Sequence, residues 1–439
     1  MTPAARLSAA IEVLGDIVAR RRPAADALKD WGLAHRFAGS KDRASIASLV
    51  YDALRRRASA AWILGISRVE EASARAVVLG TLRLARGLSA GRIGELCDGS
   101  RFAPAPLTPR EREHLEAGET SLTAAPDPVA GDFPEWLAPS LKKALGASLL
   151  AEMQALARRA PLDLRVNTLK GKREDGMTTL SHLDPAATPL SPFGIRLPHG
   201  EDGRGPSVQS EPAFLHGLIE IQDEGSQIVS LLAGMKPGET AIDLCAGGGG
   251  KTLALAAIAQ NEGRIIATDD DQRRLAPIHA RLQRAGANNV EVRTPRRRGD
   301  EPLAGFEEKA DLVLVDAPCT GVGTWRRNPD AKWRVRQGSL ERRLVEQDAV
   351  LDRAARFVKP AGRIAYVTCS LLPEENGERV ASFLERQPDW RCLPPERLVA
   401  GFSLAGLAAC QTTDAMGLLL TPARCGTDGF FLSVFERKK

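Results

Sequence analysis

The chain has 439 residues, 43% hydrophobic and 26% charged, values of a globular protein too long for one ordinary domain and long enough for two or three. It carries no apolar run long enough to span a bilayer and no basic-then-apolar leader, so membrane-embedded and secreted classes are set aside and a cytoplasmic location is expected. The 60 Lys and Arg against 55 Asp and Glu are too small an excess to announce nucleic acid, and seven cysteines and six histidines without ligand spacing argue against a metal centre or a disulfide framework.

In chain order, Leu7, Ile11, Leu14 and Val18 recur at helical spacing, and Ile46, Leu49, Val50, Ala53 and Leu54 do so behind Ser40 as N-cap. Alanine and arginine abound to about Gly99 with hardly a strand-like run, which predicts an all-α first domain. Prolines at 104, 106, 109, 126, 128 and 134 then predict a linker. A smaller segment opens at Phe133, with helical residues to about Arg159 and strand-like runs at Leu162 to Val166 and Ile195 to Leu197. After Gln222, strands are predicted near 240–244, 264–269, 290–294, 311–316 and 363–368 with helices between them, and 418–420 with 430–435 as an antiparallel pair. Such alternation implies α/β architecture, with a parallel sheet covered on both faces. The expected domains are 1–130, helical with a Pro-rich linker, 131–215, small and α+β, and 216–439, the α/β unit.

The run from Ile242 to Thr252 ends an apolar strand in Cys245, Ala246 and four glycines, Gly247, Gly248, Gly249 and Gly250, before Lys251 opens a helix. Glycines let a ligand approach the backbone, and the new helix offers free N–H groups. A Walker loop needs glycine where Cys245 stands and the dinucleotide pattern needs one where Thr252 stands, so neither template fits. The next strand ends in Asp269, at the distance where a doubly wound sheet places a carboxylate on ribose hydroxyls, and a nucleoside cofactor is expected. Two later strands run into cysteines, Asp316-Ala317-Pro318-Cys319-Thr320-Gly321 and Thr368-Cys369-Ser370. Cys97, Cys392, Cys410 and Cys425 have no motif around them and read as small buried hydrophobes.

These motifs, with Arg165 to Lys170, Gln222 to Gln227 and Asp428-Gly429-Phe430-Phe431, resemble the S-adenosylmethionine-dependent RNA (cytosine-5) methyltransferases of the RsmB/NOP type over the last two-thirds of the chain. Lys41-Asp42-Arg43 and Leu49 to Arg55 resemble, more weakly, the NusB-like RNA-binding domain carried by bacterial members. The resemblance implies a class I Rossmann-like methyltransferase sheet and S-adenosylmethionine bound by Cys245 to Lys251, Asp269 and Asp316. The implied partner is RNA, ribosomal RNA ahead of transfer RNA, and the implied state a monomer. Cytosine carbon 5 is a poor nucleophile until a thiolate adds at carbon 6. In the RNA family the Thr-Cys-Ser cysteine attacks, which nominates Cys369, while Cys319 assists breakdown of the adduct; the DNA enzymes use the Pro-Cys cysteine, which would reverse the roles. Asp316 would hydrogen-bond the cytosine edge, and Lys251 would lie beside it and the cofactor carboxylate.

Arg165 and Lys170 would touch phosphates or stabilise a turn, and Arg326, Arg327, Lys332 and Arg334, interleaved with Trp325 and Trp333, predict an RNA-binding rim. Arginine clusters at Arg20 to Arg22, Arg55 to Arg57 and Arg296 to Arg298 suit phosphates or a solvated surface. Two departures stand out: the family's Ala-Pro is Gly247-Gly248 here, and its aspartate after the third strand has no clear counterpart, Asp300 being late. A DNA enzyme and a non-catalytic RNA binder are the competing readings; the first has no need of Cys369, the second none of both thiols and Lys251.

Overall fold

The computed structural model describes residues 1–199, 205–295, 300–400 and 405–438. They form two compact units, Met1–Arg159 with Trp325–Val335, and Ala160–Thr324 with Arg336–Lys439. The first of these units also takes in residues 325–335.

The first unit is helical, as its apolar spacing required. Helix Pro3–Arg20 is capped by the Thr2 hydroxyl and buries Leu7, Val13, Leu14 and Ile17; helix Ala74–Arg86, capped by Ser73, buries Val77, Val78 and Leu79. Ser40 is the first residue of helix Ser40–Arg55, not its cap; Gly39 takes that place without a side-chain bond. The Pro-rich stretch is no free linker. Thr108 and Glu111 close a capping box on helix Pro109–Ala117, and Leu115, Val129 and Phe133 are buried. Beyond it, Asp132 accepts from the Ala58 and Ser59 amides and the Ser59 hydroxyl, satisfying orphan donors at the start of helix Arg57–Trp62.

The second unit has two sheets. β1 (Leu162–Val166), β2 (Ala186–Ala187), β3 (Gly194–Leu197) and β4 (Ile219–Ile221) form an antiparallel sheet in the order β2-β3-β1-β4. Its core is Leu164, Val166, Ile195, Leu197 and Ile219. The larger sheet contains β5 (Thr240–Asp243), β6 (Arg264–Ala267), β7 (Val290–Val292), β8 (Ala310–Asp316), β9 (Val358–Thr368), β10 (Trp390–Cys392), β11 (Leu418–Leu420) and β12 (Phe430–Arg437). Its order is β10-β12-β9-β8-β5-β6-β7, with β11 on β12. β5 to β9 are parallel and β12 runs antiparallel to β9, the expected class I sheet. The parallel strands read as unbroken apolar runs because both faces are buried, as at Ile265 and Ile266 or Leu312 to Val315. β9 starts five residues ahead of its predicted position and β10 was not predicted. The strand order reverses between β5 and β8, and the crevice beyond their C-terminal ends is where an open α/β sheet holds ligands.

Candidate active site

β5 stops at Asp243 and the chain turns into helix Gly250–Ile258. The turn needs glycine at 249, whose φ is 82° and where a Cβ would stand 2.5 Å from Ile278 Cγ1. Gly247 N–H donates to Asp269 Oδ2 and the Asp271 amide to Oδ1, each at 2.9 Å, which fixes Asp269 just past β6 with 3% of its surface exposed. Beside it opens a cavity of about 460 Å³ walled by Cys245, Asp269, Asp270, Pro318, Ala349 and Val350. Carboxylates on one wall and apolar groups on another suit a nucleoside, ribose against the acids and the base against Pro318 and Val350. Asp300 is exposed and does not line this cavity; the apolar wall comes instead from helix Gln337–Ala355, which carries no motif that could have announced it. Burial first, then the charges of Asp243 and Asp269, push the Cys245 thiol well up, so it stays neutral and serves as wall.

Asp243 is fully buried, and burial raises its carboxyl to about 7 although the Thr252 hydroxyl donates to Oδ2 at 2.6 Å. Its Oδ1 takes no hydrogen bond from the described residues, an orphan acceptor of the kind a ligand's ammonium group satisfies.

The chemical groups gather next to this turn. Lys251 Nζ donates to Asp316 Oδ2 at 2.6 Å. Burial opposes the lysine's charge, but Asp316 outweighs it and the pKa rises, so the ammonium is held on; Asp316 keeps 34% of its side chain exposed. The sulfurs of Cys319 and Cys369, from the ends of β8 and β9, are 3.2 Å apart. The hydrogen bond with Cys369 is the first cause, and burial the second, of a Cys319 thiol pushed well above its ordinary value. The push is on Cys319, the sulfur that also faces the Glu375 carboxyl.

The terminal Asp-Gly-Phe-Phe motif explains how Cys369 is aimed. Gly429 N–H donates to the Gly323 carbonyl at 2.8 Å, and Gly323 N–H to the Cys369 carbonyl at 2.9 Å. A Cβ on Gly323 would lie 2.2 Å from the Gly429 oxygen, so only two glycines allow this approach. Sequence reasoning missed Glu375 and Gln347. Glu375, buried and with its carboxyl pushed up chiefly by burial, accepts from the Thr320 amide at 2.8 Å and from its hydroxyl. Gln347 donates to Glu375 and to the Pro318 carbonyl at 3.1 and 2.9 Å. Together they clamp the Cys319 loop. The run Pro373-Glu374-Glu375-Asn376 just after the Thr-Cys-Ser cysteine was the available signal.

A sequence model described as 16S rRNA methyltransferase RsmB/F matches residues 230–436, and an RsmF/B-like ferredoxin-like domain matches 133–202. A Synechocystis protein named "Probable ribosomal RNA small subunit methyltransferase B" is 32% identical over 311 residues, 70% of this chain and 67% of that protein. The chain belongs to the RsmB/F methyltransferase family. The ribosomal RNA small subunit methyltransferase B of Photorhabdus laumondii is 33% identical over 309 residues, 70% of this chain and 66% of that protein. The matched stretch thus spans about two-thirds of these relatives' length. Among solved structures, one titled PH0851 superposes with TM-score 0.73 at 26% identity, covering 100% of this chain and 99% of that one. A methyltransferase homologue from Pyrococcus horikoshii gives 0.58 at 27% identity, covering 71% and 97%. S-adenosylmethionine is the cofactor of RsmB/F enzymes, and the residues present fit it: a cavity of about 460 Å³ with Asp269 on an acidic wall and apolar groups opposite, and the orphan oxygen of the buried Asp243.

Several residues expected to meet RNA are packed inside this RsmB/F chain. Arg165 is 3% exposed, its Nε donates to Gln222 Oε1 at 2.6 Å, and burial lowers its pKa to about 10. Asn167, on the same motif, ties the Gly217 and Ala285 carbonyls. Lys170 alone of this group is exposed. In the expected rim, Arg326 and Lys332 are 5% and 2% exposed. Lys332 Nζ donates to the Arg55 carbonyl at 2.9 Å, Trp333 Nε1 to the Leu54 carbonyl at 2.6 Å, and Arg334 pairs with Asp330 at 2.8 Å. Arg327 is half-buried. The physical reason for the misreading is that tryptophans and cations at short spacing serve equally to pin a segment onto helix Ser40–Arg55. Of the arginine clusters, Arg57 is buried and Arg55 half-buried, and Arg296 to Arg298 fall among residues outside those described. Cys410 and Cys425 are a spatial pair, sulfurs 2.9 Å apart.

Proposed function

We propose that the chain methylates carbon 5 of a cytosine in RNA, ribosomal RNA being the favoured class, through a covalent adduct to Cys369. The supporting observation is the pair of thiols 3.2 Å apart at the ends of adjacent parallel strands, beside a Lys251–Asp316 ion pair. The cytosine must leave any stack to reach sulfurs at the floor of a crevice. Asp316, paired with Lys251, accepts from its exocyclic amine and orients the ring. Cys369 adds as thiolate to carbon 6, which turns carbon 5 into an enamine carbon. Bound S-adenosylmethionine supplies the electrophilic methyl group. Formation of the carbon–sulfur bond consumes the anion that kept the proton on Cys319. Freed of that neighbour, Cys319 releases its proton to solvent and as thiolate takes the carbon 5 proton, whose bonding pair re-forms the carbon 5–carbon 6 double bond and expels Cys369 as thiolate.

The test is a denaturing gel with radiolabelled RNA, cofactor and two variants. Cys369→Ala is expected to abolish both methyl transfer and adduct, whereas Cys319→Ala still attacks and methylates but stalls as a slowly migrating protein–RNA band. An adduct from Cys369→Ala alone would overturn the assignment and restore the DNA-enzyme order of roles.

A further inference from the structure

The first unit contains a cavity that the steps above do not use. It encloses about 800 Å³ among Glu12, Trp31, His35, Phe37, Arg101 and Phe102, in the size range of small-molecule sites. Trp31 and His35 stack with centroids 4.3 Å and planes 15° apart, and Phe37 meets His35 edge-on at 5.7 Å. Phe37 and Phe102 are 73% and 67% exposed, although rings of this size normally dominate cores. Phe102 also has φ of 75°, a left-handed conformation that a bulky residue keeps only when held there; the Ser8 hydroxyl donates to its carbonyl at 2.9 Å. The fold thus keeps an aromatic ring in water in a strained pose. Arg101 lies 4.9 Å over that ring, and the exposed Glu12 carboxylate accepts from the Trp31 indole at 3.1 Å.

We infer that this cavity takes an unpaired guanine of the bound RNA, stacked on the aromatic walls, with Glu12 accepting from its Watson–Crick edge and Arg101 facing the adjoining phosphate. The inference rests on the RNA reading given above. Aromatic walls suit any base, since every base has a π-face. Glu12 makes the choice. A carboxylate repels phosphate and uracil's flanking carbonyls, and guanine alone presents an imino and an amino donor side by side. An acyl chain or apolar side chain would offer Glu12 no donor beyond the Trp31 indole and Arg101 no anion.

The experiment uses the full chain and fluorescence anisotropy with two labelled single-stranded probes, an oligouridylate and the same strand carrying one central guanosine. The unmodified protein is expected to prefer the guanosine probe by about tenfold, the scale of one stacked base. Phe37→Ala with Phe102→Ala should lose that preference and weaken guanosine-probe binding about tenfold, and Glu12→Gln should lose the preference. Both phenylalanines are exposed, so their removal opens no core void, and an unchanged thermal unfolding profile of the helical signal in every variant controls for folding. Equal affinity of the unmodified protein for the two probes, or undiminished binding by the phenylalanine variant, overturns the cavity assignment alone. Absence of any RNA binding by the unmodified protein overturns it together with the RNA reading.

Discussion

Replacing Asp243 by asparagine removes one buried ionisable group while keeping an oxygen for the Thr252 hydroxyl that now donates to Oδ2 at 2.6 Å. The wild-type carboxyl is displaced from 3.8 to about 7, first by burial and further by Asp316 and Asp269, with Thr252 and Lys251 opposing. Its folded pKa exceeds its unfolded one, so the associated stability is fully present below about pH 4 and is lost as the pH climbs through about 7. At about 1.4 kcal/mol per pH unit, the ionised form costs the ligand-free protein up to about 4 kcal/mol above pH 7. The substituted amide cannot ionise and escapes that cost. Urea unfolding of both proteins at pH 5 and pH 8 should therefore show Asp243→Asn gaining on wild type by roughly 2–4 kcal/mol as the pH rises. The same substitution should weaken S-adenosylmethionine binding at pH 8, because the orphan Oδ1 is then no longer an anion. A variant whose stability relative to wild type is the same at both pH values would refute the account of Asp243 as an uncompensated buried carboxylate.

Glu375→Ala strips the Thr320 amide and hydroxyl and the Gln347 amide of their acceptor; urea unfolding should show a loss of about 2–4 kcal/mol, and methyl transfer should fall with it as the Cys319 loop loosens. Lys332 has its pKa lowered to about 8, burial outweighing the pull of Asp132, so its neutral form is the one the fold prefers; relative to wild type, Lys332→Met should gain about 3 kcal/mol between pH 10.5 and pH 7, read by thermal unfolding across that range. Lys170→Ala should reduce the slope of log affinity against log salt for RNA by about one phosphate's worth, whereas Arg165→Met should leave the slope unchanged and lower stability instead.

The parallel sheet was legible because burial on both faces writes itself into sequence: Ala310–Asp316 and Val358–Thr368 hold apolar cores that admit no other reading. The turn at Gly249 and the cysteines at the strand ends were legible for a similar reason, since backbone geometry and reactivity each demand particular residue types. Surface partners were not. Arg165 and Lys332 carry the same charge whether they face phosphate or a carbonyl, and only the fold decides; it gave Arg165 to Gln222 and Lys332 to Arg55. The proline count at 104–134 misled likewise, because proline at the first turn starts a helix as readily as it breaks one, and Thr108 with Glu111 completed the start.

The two cysteines mark the boundary between these cases most sharply. Sequence brings both into play, one after Pro318 and one after Thr368, and chemistry alone accepts either as nucleophile. Sulfurs 3.2 Å apart cannot both ionise readily. What separates them is local: Cys319 is pushed up by its hydrogen bond to Cys369, by burial and by Glu375, while Lys251 is held charged by Asp316. An ammonium stands on one side of the pair and a buried carboxyl on the other, so the proposed choice of attacking sulfur rests on these neighbours, drawn from separate segments, rather than on either cysteine's own motif.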